Sequence, residues 1–160
     1  MKTTILATLL GLGLGSFGFV AGSLAMSSGS DTGSNPTAAS DPYEQAMDLI
    51  DDEKYAEAIP LLQKSLAEKG DYADALNELG YANRKLGNWS AGMENYLKAL
   101  KLEPNHLGAN EYLGELYLEQ KDLPNAESQL AKLAAACGTC DEQEELAESI
   151  AEYKKANSIN

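Results

Sequence analysis

Two cysteines, Cys137 and Cys140, form a Cys-x-x-Cys pair, the spacing in this sequence that most directly permits chemistry. Such a pair exchanges disulfides when it begins a helix in a thioredoxin-like βαβ unit. Here a helical pattern ends at Cys137, and no strand pattern lies nearby. This context therefore favours a structural role, as a disulfide or a thiol pair in a turn between two helices. Thiol redox chemistry and metal handling at this pair are the alternatives.

The other residues that could do chemistry are few. The one His, His106, follows Pro104-Asn105, where a capping or surface role is commoner than catalysis. The run Asp51-Asp52-Glu53 lacks the alternating pattern and Gly of a calcium loop. Asn88-Trp89-Ser90 matches a glycosylation sequon, but we expect Trp89 to be buried, which argues against modification. We expect no catalytic residue, no metal site and no cofactor.

Length and charge exclude further classes of protein. The chain has 160 residues, with 25 acidic against 12 basic side chains and a net charge of −13. This length suits one domain, with or without a tail. An acidic surface repels phosphate backbones, so we expect no nucleic-acid partner.

The first forty residues differ in composition from the rest. Met1-Lys2 precedes an uncharged, apolar run that reaches Met26, with a small-x-small site at Ser23-Leu24-Ala25. This pattern predicts a signal peptide over residues 1–25, whereas an uncleaved anchor over residues 3–26 is the alternative. The G-x-G-x-x-G match from Gly13 to Gly18 lies inside this segment, and we interpret it as chance. Residues 26–40 are small and polar, which predicts a flexible linker.

A fixed period organises the remainder of the chain. Leu79-Gly80 recurs as Leu113-Gly114, and the same shift defines copies at about 39–72, 73–106 and 107–140. Each copy has two helical patterns around a short break, at Glu53-Lys54, Gly87-Asn88 and Lys121-Asp122. Small residues recur where the paired helices must pack closely. They are Ala46, Gly80 and Gly114 in the first helices, and Ala58, Gly92 and Ala126 in the second.

Several of these segments resemble the tetratricopeptide-repeat (TPR) family. The matching segments are residues 54–59, 77–81, 87–89, 96–105 and 112–117, within a resemblance that covers residues 41–136. The sequence departs from the family at Gly92, where Ala is preferred, and at the end of the third copy, which lacks the closing Pro. The resemblance implies an all-α superhelical solenoid of three helix-turn-helix repeats.

A seventh helix is predicted over residues 141–156. Leu146, Ile150 and Tyr153 form its apolar stripe, with acidic residues at its start and Lys154-Lys155 at its end. Solenoids need a terminal helix to cover the last repeat, so we interpret this helix as a cap. The TPR domain would then span residues 41–156.

In the resembled family the first helix of each pair lines a concave groove that binds other proteins. Tyr81 with Arg84 is the pair that we expect to contribute most, because aromatic and Arg side chains dominate interface energies. Glu111 and Glu115 would repel the acidic C-terminal tails that some family members clamp. The full set of predicted groove residues is Tyr43, Met47, Ile50, Asn77, Tyr81, Arg84, Lys85, Glu111, Glu115, Leu118 and Glu119.

Together these features predict a non-catalytic TPR scaffold or adaptor of the bacterial cell envelope. Its partner would be a peptide or helix of another protein, bound in the groove. We expect an exported, periplasmic protein, or one anchored to the inner membrane by residues 3–26. Weak self-association through an open repeat face is a further expectation, since three copies are few.

Overall fold

The computed structural model describes residues 41–159, and the predicted signal peptide, anchor and linker lie outside these residues. All regular structure in this range is α-helical. No helix in this range is both long and apolar enough to cross a membrane. The helices are α1 (Pro42–Asp51), α2 (Tyr55–Lys69), α3 (Ala73–Lys85), α4 (Trp89–Leu102), α5 (Leu107–Glu119), α6 (Leu123–Cys137) and α7 (Asp141–Ala156).

The helix starts repeat with the period of the sequence. Helices α3, α5 and α7 begin at residues 73, 107 and 141, while α2, α4 and α6 begin at residues 55, 89 and 123. Both series advance by the interval that separates Gly80 from Gly114, which confirms the predicted period. Helix α1 begins at Pro42, because the Asp41 carboxylate accepts the Tyr43 N–H at 3.1 Å and Pro suits the first helical position.

The three predicted breaks share one backbone conformation. Glu53, Gly87 and Lys121 have φ values of +59°, +77° and +62°, which lie in the left-handed region. In each turn the next amide donates to the carbonyl five residues earlier, at 2.7, 2.9 and 2.8 Å. This pairing ends a helix by satisfying a free carbonyl. The expectation that Trp89 is buried here is wrong: its side chain stands beside the second turn and is 47% exposed.

The small residues lie where helices meet. A methyl group at Gly80 would lie 2.6 Å from Tyr96 Cε1, and one at Gly114 would lie 2.5 Å from Leu146 Cδ2. One at Gly92 would lie 3.1 Å from the Gly80 carbonyl oxygen, so Gly at this departure from the family pattern permits a close helix crossing. Alanines fill the three equivalent positions and are fully buried: Ala46, Ala58 and Ala126.

Helix α7 covers the last repeat, as predicted. Leu146 is fully buried and Ile150 nearly so, and both join the core cluster that includes Leu133 of α6. The turn before α7 contains a disulfide between Cys137 and Cys140, whose Cα atoms are 6.0 Å apart. The last repeat and the capping helix are therefore joined by apolar packing and by a covalent bond.

His106 caps α5, which is the role that the sequence favours. Its Nδ1 accepts the Ala109 N–H at 3.1 Å, and its Nε2 lies 3.0 Å from the Asp74 carboxylate. The ring therefore ties the start of α5 to α3.

Candidate functional site

The first helices of the repeats, with α7 as the next in register, carry side chains at equivalent positions once per repeat period. Positions four apart share one face of a helix. Two rows of residues follow from this arrangement, and we call the surface they form the groove. The first row is Tyr43, Asn77, Glu111 and Glu145, and the second row is Met47, Tyr81, Glu115 and Ser149.

Tyr81 is the central aromatic residue of the groove. Its ring lies 4.9 Å from that of Tyr112 on α5 and 5.8 Å from that of Tyr55 on α2, measured between centroids. Three helices therefore fix one half-buried ring. Burial, with a hydrogen bond to Tyr55, raises the pKa of Tyr81 to about 12, so the hydroxyl stays protonated at neutral pH.

Arg84 is bound within the chain. Its guanidinium lies 2.6 Å from a Glu115 oxygen and 3.0 Å from a Glu119 oxygen, and only 8% of its side chain is exposed. It also lies 5.7 Å from the Tyr81 ring centroid and 5.6 Å from that of Tyr112. Burial alone would lower the pKa of Arg84, but the charge and hydrogen bond of Glu115, together with Tyr96 and Glu119, more than offset this effect, and the pKa lies above its ordinary value. Arg84 therefore connects α3 to α5.

Lys85 is exposed and lies beside the rings of Tyr55 and Tyr81. Its ammonium lies 5.9 Å from the Tyr55 ring centroid and 5.7 Å from that of Tyr81. A cation over an aromatic face is attracted by the ring quadrupole, weakly at exposed sites. The Tyr55–Tyr81 pair therefore has cationic neighbours from the chain itself.

The wall between α5 and α7 is acidic. Glu111 is 3% exposed. Burial, a hydrogen bond that protonated Glu111 donates to Glu145, and the charges of Glu115, Glu145 and Glu142 raise its pKa to about 8. Within residues 41–159, neither Glu111, Glu142 nor Glu145 has a cationic partner. No group of three or more His, Cys, Asp or Glu side chains in that range has a metal-binding arrangement. We call Glu111, Glu142 and Glu145 the acidic wall.

Several residues predicted to be free in the groove are buried. Leu118 lies in the core cluster with Leu133 and Leu146, because α6 and α7 both cover the end of α5. Ile50 lies in the core cluster of α1 and α2. Arg84 is buried because two carboxylates of α5 bind it. These placements correct the expectation that the three side chains are free to contact a partner. Asn77 and Glu111, which were also predicted to line the groove, are buried as well.

The remaining predicted residues are at least partly accessible, and their contact with a partner stays a prediction. Tyr43, Met47, Tyr81 and Glu115 are partly buried, whereas Lys85 and Glu119 are exposed. Sequence reasoning missed Tyr112 and Glu145. Glu145 lies one repeat period after Glu111, so extending the repeat period into α7 would have identified it as a groove residue.

Comparison with known proteins agrees with the helical-repeat solenoid seen here. The family model described as tetratricopeptide repeat matches residues 43–99 and residues 82–139. The chain therefore belongs to the tetratricopeptide-repeat family, as the sequence predicted. No sequence among curated proteins matches the chain.

Solved structures share the fold at low identity. The Yersinia enterocolitica type III secretion chaperone SycD, in complex with a peptide of the translocator YopD, has a TM-score of 0.62 and 18% identity over 72% of this chain and 88% of that chain. The second TPR domain of human RPAP3, in complex with HSP70 peptide SGPTIEEVD, has a TM-score of 0.63 and 14% identity over 71% and 92%. A Parabacteroides merdae TPR protein has a TM-score of 0.63 and 15% identity over 74% and 46%.

Proposed function

We propose that this protein is a non-catalytic binding module that holds a peptide or helix of a partner protein in the groove. The observation that carries the proposal is the Tyr81 ring, which is fixed by Tyr55 and Tyr112 and yet partly exposed. A rigid aromatic side chain loses little entropy on binding and is the type of residue that dominates interface energies. Met47, one repeat earlier in the same row, adds an adaptable apolar contact.

The similar structures support peptide binding as the mode. SycD was solved with a YopD peptide and an RPAP3 domain with an HSP70 peptide. The HSP70 peptide ends in Glu-Glu-Val-Asp, and the acidic wall would repel such a tail. The partner segment of this protein therefore differs in charge from that peptide.

We place this function in the cell envelope of a bacterium. The support is the basic start, apolar run and small-x-small site in residues 1–25, which together are typical of an export signal. The alternative within the same proposal is retention at the inner membrane by residues 3–26. Determining the N-terminal residue of the protein purified from its native membrane and soluble fractions distinguishes the two.

Capture of partners by matched variants tests the binding role. We expect Met47→Ser combined with Tyr81→Ser to lose a partner that the unaltered chain retains from envelope extract, with helicity unchanged in circular dichroism. Leu97→Ser is the control, because Leu97 is 49% exposed on α4, which is not one of the groove helices. Equal capture by the groove variant and the control variant would contradict the proposal.

The disulfide supports a second candidate, in which Cys137 and Cys140 serve thiol exchange. Both cysteines are partly exposed in the turn between α6 and α7. We favour a structural role, since the bond closes a very short loop at the junction with the capping helix. Cys137→Ser with Cys140→Ser should leave partner capture unchanged. Loss of capture with native helicity, or reductase activity abolished by the double variant, would favour the redox role.

A further inference from the structure

The α5 side of the groove already binds one cation of the chain itself. The Arg84 guanidinium lies against the carboxylates of Glu115 and Glu119 and near the faces of Tyr81 and Tyr112. Charge-assisted hydrogen bonds and cation–π contacts act together there. The arrangement shows that carboxylates on α5 and the neighbouring rings are complementary to a basic side chain.

The acidic wall is a second group of carboxylates, but none of the described residues supplies a cation to it as Arg84 does to Glu115 and Glu119. Glu111 lies one helical turn before Glu115 on α5, and Glu145 occupies the same row on the neighbouring α7, with Glu142 one turn before it. The chain supplies Arg84 to Glu115 and Glu119 but, among the described residues, supplies no Lys, Arg or His to the wall. Repulsion among like charges that are partly removed from water is unfavourable, and a bound cation would relieve it.

Charge across the whole chain acts in the same direction. The net charge is −13, so an approaching basic segment is attracted from a distance and an acidic one is repelled. On the groove helices the basic residues are Arg84 and Lys85 in the middle and the Lys154-Lys155 end of α7. Arg84 is paired with Glu115 and Glu119, and Lys154 pairs with Glu127 of α6, away from the acidic wall.

We propose that the groove binds a partner segment that carries a Lys or Arg side chain, which is seated against Glu142 and Glu145, beside the buried Glu111. An aromatic or apolar side chain elsewhere in the same segment lies against Met47 and Tyr81. This inference rests on the proposed binding function and narrows it to a basic, amphipathic segment of a protein. Burial and the neighbouring carboxylates raise the pKa of Glu111 to about 8, which agrees with an acidic site that lacks its counter-charge.

Two charge-swapped peptides test the inference on the folded chain. The probes are acetyl-KALAYKALAK-amide and acetyl-EALAYEALAE-amide, each labelled for fluorescence anisotropy and titrated at physiological salt. We expect the Lys probe to bind and the Glu probe not to bind. Glu142→Gln with Glu145→Gln should weaken the Lys probe about tenfold.

A charge-matched control separates the groove from general attraction. Glu57→Gln with Glu103→Gln removes the same charge from exposed positions outside the groove helices. It should weaken the Lys probe less than about twofold, as is usual for distant surface charges. Equal weakening by both double variants would overturn the inference. So would absence of Lys-probe binding, binding of the Glu probe with comparable affinity, or displacement of the Lys probe by millimolar Ca²⁺.

The outcome also separates this inference from the proposed function. Suppose that the Met47→Ser/Tyr81→Ser variant loses its partner, whereas the Glu142→Gln/Glu145→Gln variant binds the partner and the Lys probe as the unaltered chain does. The proposed binding function then stands, and the inference of a basic segment fails. If the groove variant captures the partner normally, the proposed function itself fails.

Discussion

The two halves of the groove have the same backbone register and different chemistry. Met47, Tyr81 and Glu115 occupy one position in three successive repeats, and they are apolar, aromatic and acidic in turn. The N-terminal half, on α1 and α3, therefore presents apolar and aromatic surface, whereas the C-terminal half, on α5 and α7, presents carboxylates. The comparison shows that the repeat sets where a side chain stands, while the residue type at that position sets what it can bind.

Arg84 marks the boundary between the halves. It belongs to α3, yet its guanidinium lies against carboxylates of α5. It neutralises the α5 carboxylates nearest the aromatic residues, whereas Glu142 and Glu145, farther from it, have no cationic partner among the described residues. The following predictions break or sharpen the contrast between the halves, beginning with the largest expected effect.

Disrupting the packing of α7 on α5, in the C-terminal half of the groove, should have the largest effect on stability. Gly114→Leu places a side chain where even a Cβ would lie 2.5 Å from Leu146, so α7 can no longer pack on α5. We expect the free energy of unfolding to fall by about 3 kcal/mol. The better helix propensity of Leu over Gly offsets only about 0.8 kcal/mol of the clash.

Denaturant titration and amide hydrogen exchange measure this effect. Exchange should accelerate first in residues 141–156, because α7 loses its contact with α5. Ala131→Leu, at an exposed position on α6, is the control and should change stability little. An unchanged unfolding midpoint for Gly114→Leu would show that the close packing of the C-terminal half is not needed.

Removing the boundary cation should have the next largest effect. Arg84→Met leaves Glu115 and Glu119 without their partner, and we expect a loss of about 2 kcal/mol in the free energy of unfolding. Lys85→Met is the control, since Lys85 is exposed and, among residues 41–159, makes only cation–π contacts. Urea unfolding of both variants gives the comparison.

A double-mutant cycle tests whether the loss comes from the ion pairs. Arg84→Met in a chain with Glu115→Gln and Glu119→Gln should cost clearly less than in the unaltered chain. Equal losses in the two backgrounds would mean that Arg84 stabilises the fold through its aromatic contacts and its packing instead.

Replacing Glu111, a buried acid of the C-terminal half of the groove, should change the pH dependence of stability. The pKa of Glu111 is about 8 in the folded chain against an ordinary value of 4.5. Between these values the folded chain keeps a proton that the unfolded chain loses, so stability falls as the pH rises. The contribution of this group has a slope of at most about 1.4 kcal/mol per pH unit.

Glu111→Gln should remove this slope and raise the melting temperature most at about pH 8, by relieving the charge that must be buried there. Thermal unfolding followed at several pH values between about pH 5 and pH 8 measures it. Glu148→Gln, an exposed position on α7, is the control. If Glu111→Gln and the unaltered chain show parallel pH profiles, the carboxyl of Glu111 is not responsible for the dependence.

The smallest effects concern the turns, which are alike in both halves. Glu53→Gly and Lys121→Gly should each stabilise the chain by about 0.5–1 kcal/mol, because only Gly adopts positive φ without steric cost. Gly87→Ala should destabilise it by about 1 kcal/mol for the same reason. Gln63→Gly within α2 is the control and should destabilise by about 1 kcal/mol. Destabilisation by Glu53→Gly or Lys121→Gly, measured in urea, would contradict this account.

Local and periodic features of the fold were readable from the sequence. The repeat period predicted the helix starts, Gly87-Asn88 marked a turn, and the apolar stripe of residues 141–156 located α7. These features depend on interactions within a few residues or on a steric requirement that recurs at a fixed interval. Both leave a mark in the order of residue types along the chain.

The tertiary structure alone decided which groove side chains are free. Arg84 and Leu118 have the position expected of groove residues, but neighbouring helices bind or cover them. Trp89 is a large apolar residue of the kind that usually lies in a core, yet it is exposed. Glu111 shares a hydrogen bond with another acidic residue, Glu145. The physical reason is that burial and pairing depend on long side chains from other repeats, whose reach and direction are set only when the helices have packed.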